Sequence, residues 1–226
     1  MSNFLPIGQY VLAKNHQFIA FNKPAGMPVQ PDKTGDHSLH KLGEDYCHHP
    51  LFLMHRIDRA ASGLVLMPKT NNTLQGILQQ AQTGKLEKWY LAIVQQAPTK
   101  PEDNLTHYLV KRGNTNKTHV YNEPTEGAQE SKLHYQIVGQ SDNYTLLLIR
   151  LITGRHHQIR AQLAAIGSPI KGDVKYGARR ANPDRSICLH SWRLTFTHPL
   201  SGEKIKLEAP LPDDNLWKAM GNLMTI

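Results

Sequence analysis

The sequence has little cysteine and no long apolar run, and these two absences exclude several classes of protein. Its 226 residues include two cysteines, Cys47 and Cys188, far apart and without the short spacing of zinc ligands. A disulfide framework is therefore excluded, and a reduced cytosolic protein is indicated. No apolar segment approaches the roughly 18 residues that span a bilayer, and residues 1–6 do not have the pattern of a signal peptide. We expect a soluble, cytoplasmic protein without a membrane partner.

Acidic residues are scarce relative to basic ones. The chain has 26 lysines and arginines against 18 aspartates and glutamates, which gives a formal net charge of +8. The excess is concentrated between Arg150 and Arg193, where nine basic and two acidic residues give a net charge of +7. A local basic field favours a polyanionic partner, most often nucleic acid. A basic surface without any partner is the alternative from charge alone.

Strand-like segments dominate the chain and do not alternate regularly with helices. The predicted strands lie at 10–13, 18–21, 51–54, 64–67, 85–94, 131–138, 144–152 and within 185–196, with a projecting hairpin at 105–121; the predicted helices lie at 36–47, 70–82, 156–166 and 215–223. This order predicts an α+β fold with a mixed, largely antiparallel sheet flanked by helices. Because there is no repeat or linker, a single domain over residues 1–226 is the simplest account.

One aspartate lies in a segment dense in polar groups. Residues 55–63 read His-Arg-Ile-Asp-Arg-Ala-Ala-Ser-Gly, so Asp58 stands between Arg56 and Arg59. Two guanidinium groups would stabilise the charged carboxylate and could donate to phosphates, which indicates chemistry on a nucleic acid. Taken without context, such an aspartate is more often a turn former or an ion-pair member. No second carboxylate lies nearby, so a paired-acid or two-metal site has no local support.

A second polar segment runs from Thr153 to Arg160. Gly154 precedes a predicted helix whose first turn carries Arg155 and two histidines, His156 and His157. Free N–H groups at a helix start, together with basic side chains, form an anion site. Adjacent histidines point in different directions on a helix, so a shared metal is disfavoured, and zinc is a minor alternative. The other alternative is a helix with an exposed basic face.

Tyr90 follows Lys88 and Trp89 in a predicted strand. A tyrosine in a strand is usually a packing residue. This one is of interest because proteins that read single-stranded or flipped-out bases need an aromatic face on which the base can stack.

Several short segments, taken in chain order, resemble the motifs of the RluA-type family of RNA pseudouridine synthases. The resemblance covers nearly the whole chain. The matching segments are Lys23-Pro24-Ala25-Gly26, His55 to Asp58 with Ser62-Gly63, Lys88 to Tyr90, Gly154 to Arg160, Pro169 to Gly177, Leu189-His190 and His198-Pro199. Any one of these motifs would be a weak signal, whereas several in order are specific. The resemblance implies a pseudouridine synthase catalytic core with an RNA-binding cleft, and a reaction without metal or organic cofactor.

The resemblance also implies roles for individual residues. Asp58 matches the aspartate that initiates the isomerisation of uridine, and Tyr90 matches the aromatic residue that stacks on the target uracil. Arg160 matches the residue that pairs with the catalytic aspartate, and Arg56 matches the arginine that fills the gap left by the flipped-out nucleotide. The further residues expected to bind substrate are Lys23, Arg155, His157 and Ile159.

Three departures from the family pattern leave these assigned groups in place. Ala60-Ala61 precedes Ser62 where Asp/Ala-Thr is common, Ile57 replaces leucine, and His156 replaces a small threonine or serine. We expect activity to be kept and the choice of RNA to differ. The small N-terminal S4-like domain of many relatives is not expected, because the catalytic body begins almost at residue 1. The expected protein is a monomer that acts on ribosomal or transfer RNA.

The residues leave two routes open for the expected reaction, and they leave two alternatives to the synthase function. Isomerisation breaks the C1′–N1 bond and joins C1′ to C5, and an anionic Asp58 could attack C1′ as a nucleophile or abstract the 2′ proton as a base. A non-catalytic RNA-binding module would place no demand on Asp58. A metal-dependent nuclease or phosphoesterase would shorten the RNA and respond to chelators.

Overall fold

The computed structural model of the protein describes residues 4–112 and 116–225. Residues 1–3, residues 113–115 within the predicted hairpin segment, and residue 226 lie outside the described residues. The elements in chain order are β1 (Val11–Lys14), β2 (Phe18–Lys23), α1 (Leu39–Cys47), β3 (Ser62–Pro68), α2 (Asn71–Gln82), β4 (Glu87–Val94), β5 (Glu102–Arg112), β6 (Lys117–Tyr121), β7 (Gln129–Gln140), β8 (Thr145–Leu151), α3 (Gln158–Ala165), β9 (Leu189–Thr197), β10 (Lys204–Glu208) and α4 (Asn215–Asn222). None of the described helices is long and apolar enough to cross a membrane.

The residue contacts divide the chain into two compact units. Unit 1 comprises Met1–Lys88 and His190–Pro212, and unit 2 comprises Trp89–Leu189 and Asp213–Ile226. The single domain over residues 1–226 stays a prediction.

Unit 1 is built on strands in the order β1-β2-β3-β9-β10. β3 and β9 run parallel and the other neighbours are antiparallel, so the predicted mixed character of the sheet is confirmed. Every residue of β3 is buried, which makes this strand the centre of the unit. The core cluster consists of Phe18, Ala20, Leu64, Leu66, Ile77, Leu86, Leu194, Phe196 and Ala209. α2 contributes Ile77 to this core and is capped by the Thr70 side chain, which accepts from the N–H of Thr73.

Unit 2 is built on an antiparallel sheet in the order β4-β8-β7-β5-β6. The predicted hairpin is confirmed as β5 paired with β6, and the predicted antiparallel pair as β7 with β8. α3 packs against β5 and β6, and α4 packs against β7. α4 begins at the cap Asp214, whose carboxylate accepts from the N–H of Trp217. The α+β class predicted from the sequence is confirmed in both units.

The main differences from the prediction lie in four elements, of which α1 begins at Leu39, three residues later than predicted. Residues 51–54 form no strand, because Leu51 bonds instead to side chains of α1: its N–H donates to Glu44 and its carbonyl contacts His40. α3 begins at Gln158, two residues later than predicted. β10 was not predicted, although its sequence Lys-Ile-Lys-Leu-Glu alternates with the period of a half-buried strand.

Candidate functional site

Asp58 begins a tight turn that leads into the buried strand β3. The N–H of Ala61 donates to the Asp58 carbonyl at 3.1 Å and closes a four-residue turn. The side chain of Asp58 is half-buried. The residue predicted to be catalytic therefore stands in a hydrogen-bonded turn directly before the most buried strand of unit 1.

Lys23 anchors this turn from inside unit 1. The residue is 0% exposed at the end of β2. Its Nζ lies within hydrogen-bond distance of four backbone carbonyl oxygens, which share its three N–H groups: Pro24 at 2.8 Å, Met27 at 2.8 Å, Arg59 at 3.2 Å and Ala61 at 2.7 Å. Two of these carbonyls belong to the Asp58 turn and two to the segment after β2. One ammonium thus fixes both segments relative to each other.

The electrostatics of Lys23 connect it to Asp58. Burial lowers the pKa of Lys23 to about 7, while the negative charge of Asp58 raises this pKa and the positive charge of Arg59 lowers it. Lys23 was predicted to bind substrate; its described contacts are internal, so we expect any effect on RNA to act through the turn. Its part in substrate binding stays a prediction.

The guanidinium of Arg59, which the sequence suggested as a partner of Asp58, binds two other carboxylates. Nη1 lies 3.1 Å from Asp32 and donates to Thr34 at 2.6 Å, and Nη2 donates to Asp36. The Arg59 guanidinium is the first cause that lowers the pKa of Asp36, whereas hydrogen bonds from Thr34 are the first causes at Asp32. The side chain of Arg59 thus ties down the loop at 32–36.

Ser62 and Gly63 fix the start of β3 to β9. Ser62 Oγ lies 2.8 Å from Nδ1 of His190, and the two residues are register partners. Gly63 has a φ of 108°, and a Cβ there would lie 2.2 Å from the carbonyl oxygen of Ser191. Only glycine allows this close approach. The Ser-Gly and Leu-His motifs therefore contact each other next to the Asp58 turn.

His55 is a second structural histidine of unit 1. Its Nε2 accepts the N–H of Leu66 at 3.0 Å, so we assign the ring proton to Nδ1. Burial lowers the pKa of His55 to about 4, and the charge of Lys88 acts in the same direction. The neutral ring therefore holds the backbone of β3 at physiological pH.

Arg160 lies in unit 2, on a helix that is buried almost all round. Arg160 is 7% exposed, and α3 buries Gln158, Ile159 and Gln162 as well. Its Nε donates to Asp173 at 2.6 Å and its Nη2 donates to the same carboxylate at 2.8 Å. This two-bond pair was not predicted from the sequence. The pair between Arg160 and Asp58 stays a prediction.

Tyr176 supports the same guanidinium from a second direction. The centre of the Arg160 guanidinium lies 5.0 Å from the centre of the Tyr176 ring. The Tyr176 hydroxyl accepts the N–H of Thr118 at 2.8 Å and lies 3.0 Å from Nδ1 of His157. Burial raises the pKa of Tyr176, so the hydroxyl keeps its proton and can donate it to His157.

The residues before α3 form a turn organised by Gln158. Its Oε1 accepts from the hydroxyl of Thr153 at 2.9 Å and from the N–H of Arg155 at 3.0 Å, and its Nε2 donates to the carbonyl of Lys132. Arg155 itself is exposed, and His157 caps α3 with a φ of 52°. The basic residues thus precede the helix and do not form its first turn.

His156 and His157 do not point in different directions as the helical prediction required. Their rings are stacked, with centroids 3.7 Å apart and an interplanar angle of 24°. The hydroxyl of Thr118 holds His156, because it lies 3.0 Å from Nδ1 and donates to the carbonyl at 2.8 Å. Within residues 4–112 and 116–225, no group of three or more His, Cys, Asp or Glu side chains is placed to hold a metal ion. That the reaction needs no metal or organic cofactor stays a prediction.

Comparison with known proteins places this arrangement in a family. A family model described as RNA pseudouridylate synthase matches residues 17–165. The chain belongs to this family. The match includes β2 with Lys23, the Asp58 turn, β4 with Tyr90 and all of α3, and the expected family is confirmed.

Curated relatives cover most of this chain. It is 32% identical to the ribosomal large subunit pseudouridine synthase D of Nitrosomonas europaea, over 94% of this chain and 65% of that protein. It is 30% identical to the protein of the same name from Pasteurella multocida, over 90% of this chain and 68% of that protein. The chain therefore spans about two thirds of the length of these relatives.

Two solved human structures share the fold. One is named RNA pseudouridylate synthase domain containing 4, with a TM-score of 0.74 and 22% identity over 92% of this chain and 90% of that one. The other is named domain containing 1, with a TM-score of 0.73 and 20% identity over 93% and 86%. These likenesses confirm the pseudouridine synthase fold predicted from the sequence motifs.

Within this family member, the predicted site residues fall into two groups. Unit 1 carries Lys23, Arg56 and Asp58, of which Arg56 is exposed. The predicted residues of unit 2 are Tyr90, Arg155, His157, Ile159 and Arg160. Tyr90 is 6% exposed on β4 opposite Ile149, and Ile159 is 4% exposed. The roles assigned to all eight residues stay predictions.

Proposed function

We propose that the protein is an RNA pseudouridine synthase that isomerises uridine within a structured RNA. The observation that carries this proposal is the fixed position of Asp58, on a turn held by an internal lysine, in a chain of the RNA pseudouridylate synthase family. Binding alone would not require a carboxylate on a rigid support, since a carboxylate repels phosphates.

Asp58 initiates the reaction in this proposal. The isomerisation requires cleavage of the C1′–N1 bond, rotation of the uracil and formation of the C1′–C5 bond, without redox change. A carboxylate can begin this sequence as a nucleophile at C1′ or as a base at the 2′ carbon, and both routes use the same position of Asp58. Tyr90 stacks on the uracil, and Arg160 supplies a positive charge to the catalytic aspartate. These two roles follow from the family resemblance.

Large-subunit ribosomal RNA is the substrate that we propose. The names of the relatives from Nitrosomonas europaea and Pasteurella multocida state ribosomal large subunit activity for those proteins. The net charge of +7 between Arg150 and Arg193 supports RNA as the partner, because phosphate contacts supply much of the affinity for nucleic acids. Transfer RNA is the alternative that the experiment must exclude, and the cytoplasm is the proposed location.

The test compares Asp58→Asn with the wild-type protein on ribosomal and transfer RNA transcripts. We expect Asp58→Asn to lower the rate of pseudouridine formation at least about 100-fold, because it removes the acid–base or nucleophilic group. RNA binding should be equal or slightly tighter, because a negative charge is lost. Chemical mapping of pseudouridine measures the product, and filter binding measures affinity.

Asp45→Asn is the matched control, since Asp45 is an exposed carboxylate of unit 1 that pairs with Lys41. It should leave the rate of product formation unchanged. Wild-type protein that binds RNA and forms no pseudouridine would indicate a binding module. Shortened RNA and sensitivity to chelators would indicate a nuclease. Product on transfer RNA alone would overturn the proposed substrate.

A further inference from the structure

The Asp173 carboxylate binds one edge of the Arg160 guanidinium. Nε and Nη2 donate to the two oxygens of Asp173 at 2.6 and 2.8 Å, in the parallel geometry that a planar fork and a carboxylate share. Two bonds fix both the position of the guanidinium and the orientation of its plane. A lysine could not be oriented in this way, because an ammonium is a point charge.

The backbone of Asp173 is fixed more firmly than that of an ordinary surface loop. Its N–H donates to the carbonyl of Ile170, and its own carbonyl accepts from Tyr176 and Ala178, each at 3.0 Å. The preceding Gly172 has a φ of 89°, and a Cβ there would lie 2.7 Å from both the Asn182 side chain and the Ser186 carbonyl. Asp173 therefore presents its carboxylate from a rigid segment, at 1% exposure.

Tyr176 completes the support three residues later. Its ring lies 5.0 Å from the guanidinium centre, and its hydroxyl is held by Thr118 and His157. An aromatic face over a partly desolvated guanidinium attracts the cation and favours one orientation of its plane. Asp173 and Tyr176 thus restrain Arg160 from its edge and from its face.

We propose that Asp173 is a positioning residue that acts on the reaction through Arg160, with Tyr176 as its supporting face. The catalytic part of this inference rests on the proposed function. Stability alone is a poor explanation for the pair, because buried ion pairs are often no more stabilising than well-packed apolar residues. Orientation is the property that an apolar pair could not provide. Asp173 lies in the motif Pro169 to Gly177, to which the sequence analysis assigned no role.

The first experiment measures Arg160 in the wild-type protein by NMR. An Nε–H bonded to a buried carboxylate should exchange slowly with water and resonate downfield of exposed arginines. Arg160→Lys removes the signal and assigns it. An Nε–H of Arg160 that exchanges as fast as those of exposed arginines would overturn the inference, whatever the activity of the protein.

The second experiment measures turnover of Asp173→Asn. We expect kcat to fall about 100-fold, because a misplaced catalytic group costs about this factor, while KM for RNA changes less than about threefold. Tyr176→Leu should lower kcat less, by about tenfold, since both bonds to Asp173 remain. An unchanged kcat in Asp173→Asn, or a KM that rises as much as kcat falls, would overturn the proposal.

A double-mutant cycle separates positioning from general structural damage. In the Arg160→Lys background, Asp173→Asn should lower kcat less than about threefold, because the group it positions is already lost. A further 100-fold loss in that background would mean that Asp173 acts independently of Arg160, and the proposal would fail. If the wild-type protein forms no pseudouridine, the proposed function fails, and the NMR result alone decides whether Asp173 orients Arg160.

Discussion

The Asp58 turn of unit 1 and the Arg160 segment of unit 2 are held rigid by opposite means. In unit 1 the buried Lys23 Nζ contacts four backbone carbonyls, two of them in the turn that begins at Asp58. In unit 2 a buried anion, Asp173, binds the side chain of Arg160 through two bonds. Lys23 thus fixes the backbone of the turn that carries Asp58, whereas Asp173 fixes the Arg160 side chain directly.

The difference follows from the chemistry of the two groups. A carboxylate that is proposed to attack or to abstract a proton must itself reach the substrate, so a support that acts on its backbone is suitable. A guanidinium has five N–H donors and keeps donors for other partners after two are used by Asp173. The comparison predicts that unit 1 is sensitive to the loss of a buried ammonium, and that charges at its surface matter less.

The largest effect is expected from Lys23→Met. The substitution keeps an unbranched side chain of similar length but leaves the carbonyls of Met27 and Ala61 buried without their donor. We expect a loss of about 3 kcal/mol in the free energy of unfolding, since each unsatisfied buried polar group costs about 1–3 kcal/mol. Urea denaturation followed by circular dichroism measures it.

Lys33→Met is the matched control, because Lys33 is an exposed lysine of the same unit. Its stability should lie within about 0.5 kcal/mol of the wild type. A loss below about 1 kcal/mol in Lys23→Met would contradict the anchoring role, since the carbonyls would then have found other donors.

The role of Lys23 illustrates what the sequence could and could not predict. The hairpins and the helices α2 and α4 were predicted, because periodicity and turn residues are local signals. The segment 51–54 has the composition of a strand, yet the backbone of Leu51 bonds to side chains of α1. Nothing local distinguishes such a segment from a strand. β10 could have been found from its alternation alone.

The candidate site shows the same limit. The ordered motifs point to Asp58, Tyr90 and Arg160, whose roles stay predictions, because motifs record which residue types recur. They do not record that Lys23 is completely buried, or that Asp173 lies in reach of a side chain 13 residues earlier. Both facts arise from tertiary packing, in which the partners are set by the fold and not by the spacing.

An intermediate loss in the free energy of unfolding is expected for unit 1 at acid pH, because His190 is buried as a neutral ring. Burial lowers the pKa of His190 to about 4, opposed by the carbonyl of Ala209. Because this value lies below the ordinary 6.5, the unfolded chain takes up the proton first as the pH falls. The contribution of His190 to the free energy of unfolding therefore decreases as the pH falls from 6.5 to 4, by up to about 1.4 kcal/mol per pH unit. Below pH 4 this contribution no longer changes. Urea unfolding at pH 6.5 and 5 should show a loss of about 2 kcal/mol from His190.

His190→Gln should remove this part of the pH dependence, whereas the exposed His16→Gln should not. His55 has its pKa lowered in the same direction and lies in the same unit. Hydrogen exchange at pH 5 should therefore show opening of β3 before the strands of unit 2. Equal exchange in both units would show that acid does not distinguish them.

The smallest effect is expected from Arg59→Gln. This substitution removes the guanidinium and keeps the backbone carbonyl, so it tests the role of the side chain alone. The Arg59 carbonyl accepts from Lys23 and from the N–H of Gly26, and the substitution preserves both bonds. Its guanidinium pairs with Asp32 and Asp36 at a surface where all three side chains are 34–38% exposed. Such pairs contribute at most about 1 kcal/mol and are screened by salt.

Arg59→Gln should therefore change the free energy of unfolding by less than about 1 kcal/mol, less still in 1 M salt, and kcat by less than about twofold. The contrast with Asp173→Asn is informative, because both substitutions break an ion pair of an arginine. Arg59→Gln could instead lower kcat as far as Asp173→Asn does and leave stability unchanged. That result would mean that in the wild-type protein the Arg59 guanidinium leaves Asp32 and Asp36 and binds the RNA. The support of Asp58 would then depend on a side chain as well as on the backbone, and the distinction between the two units would be lost.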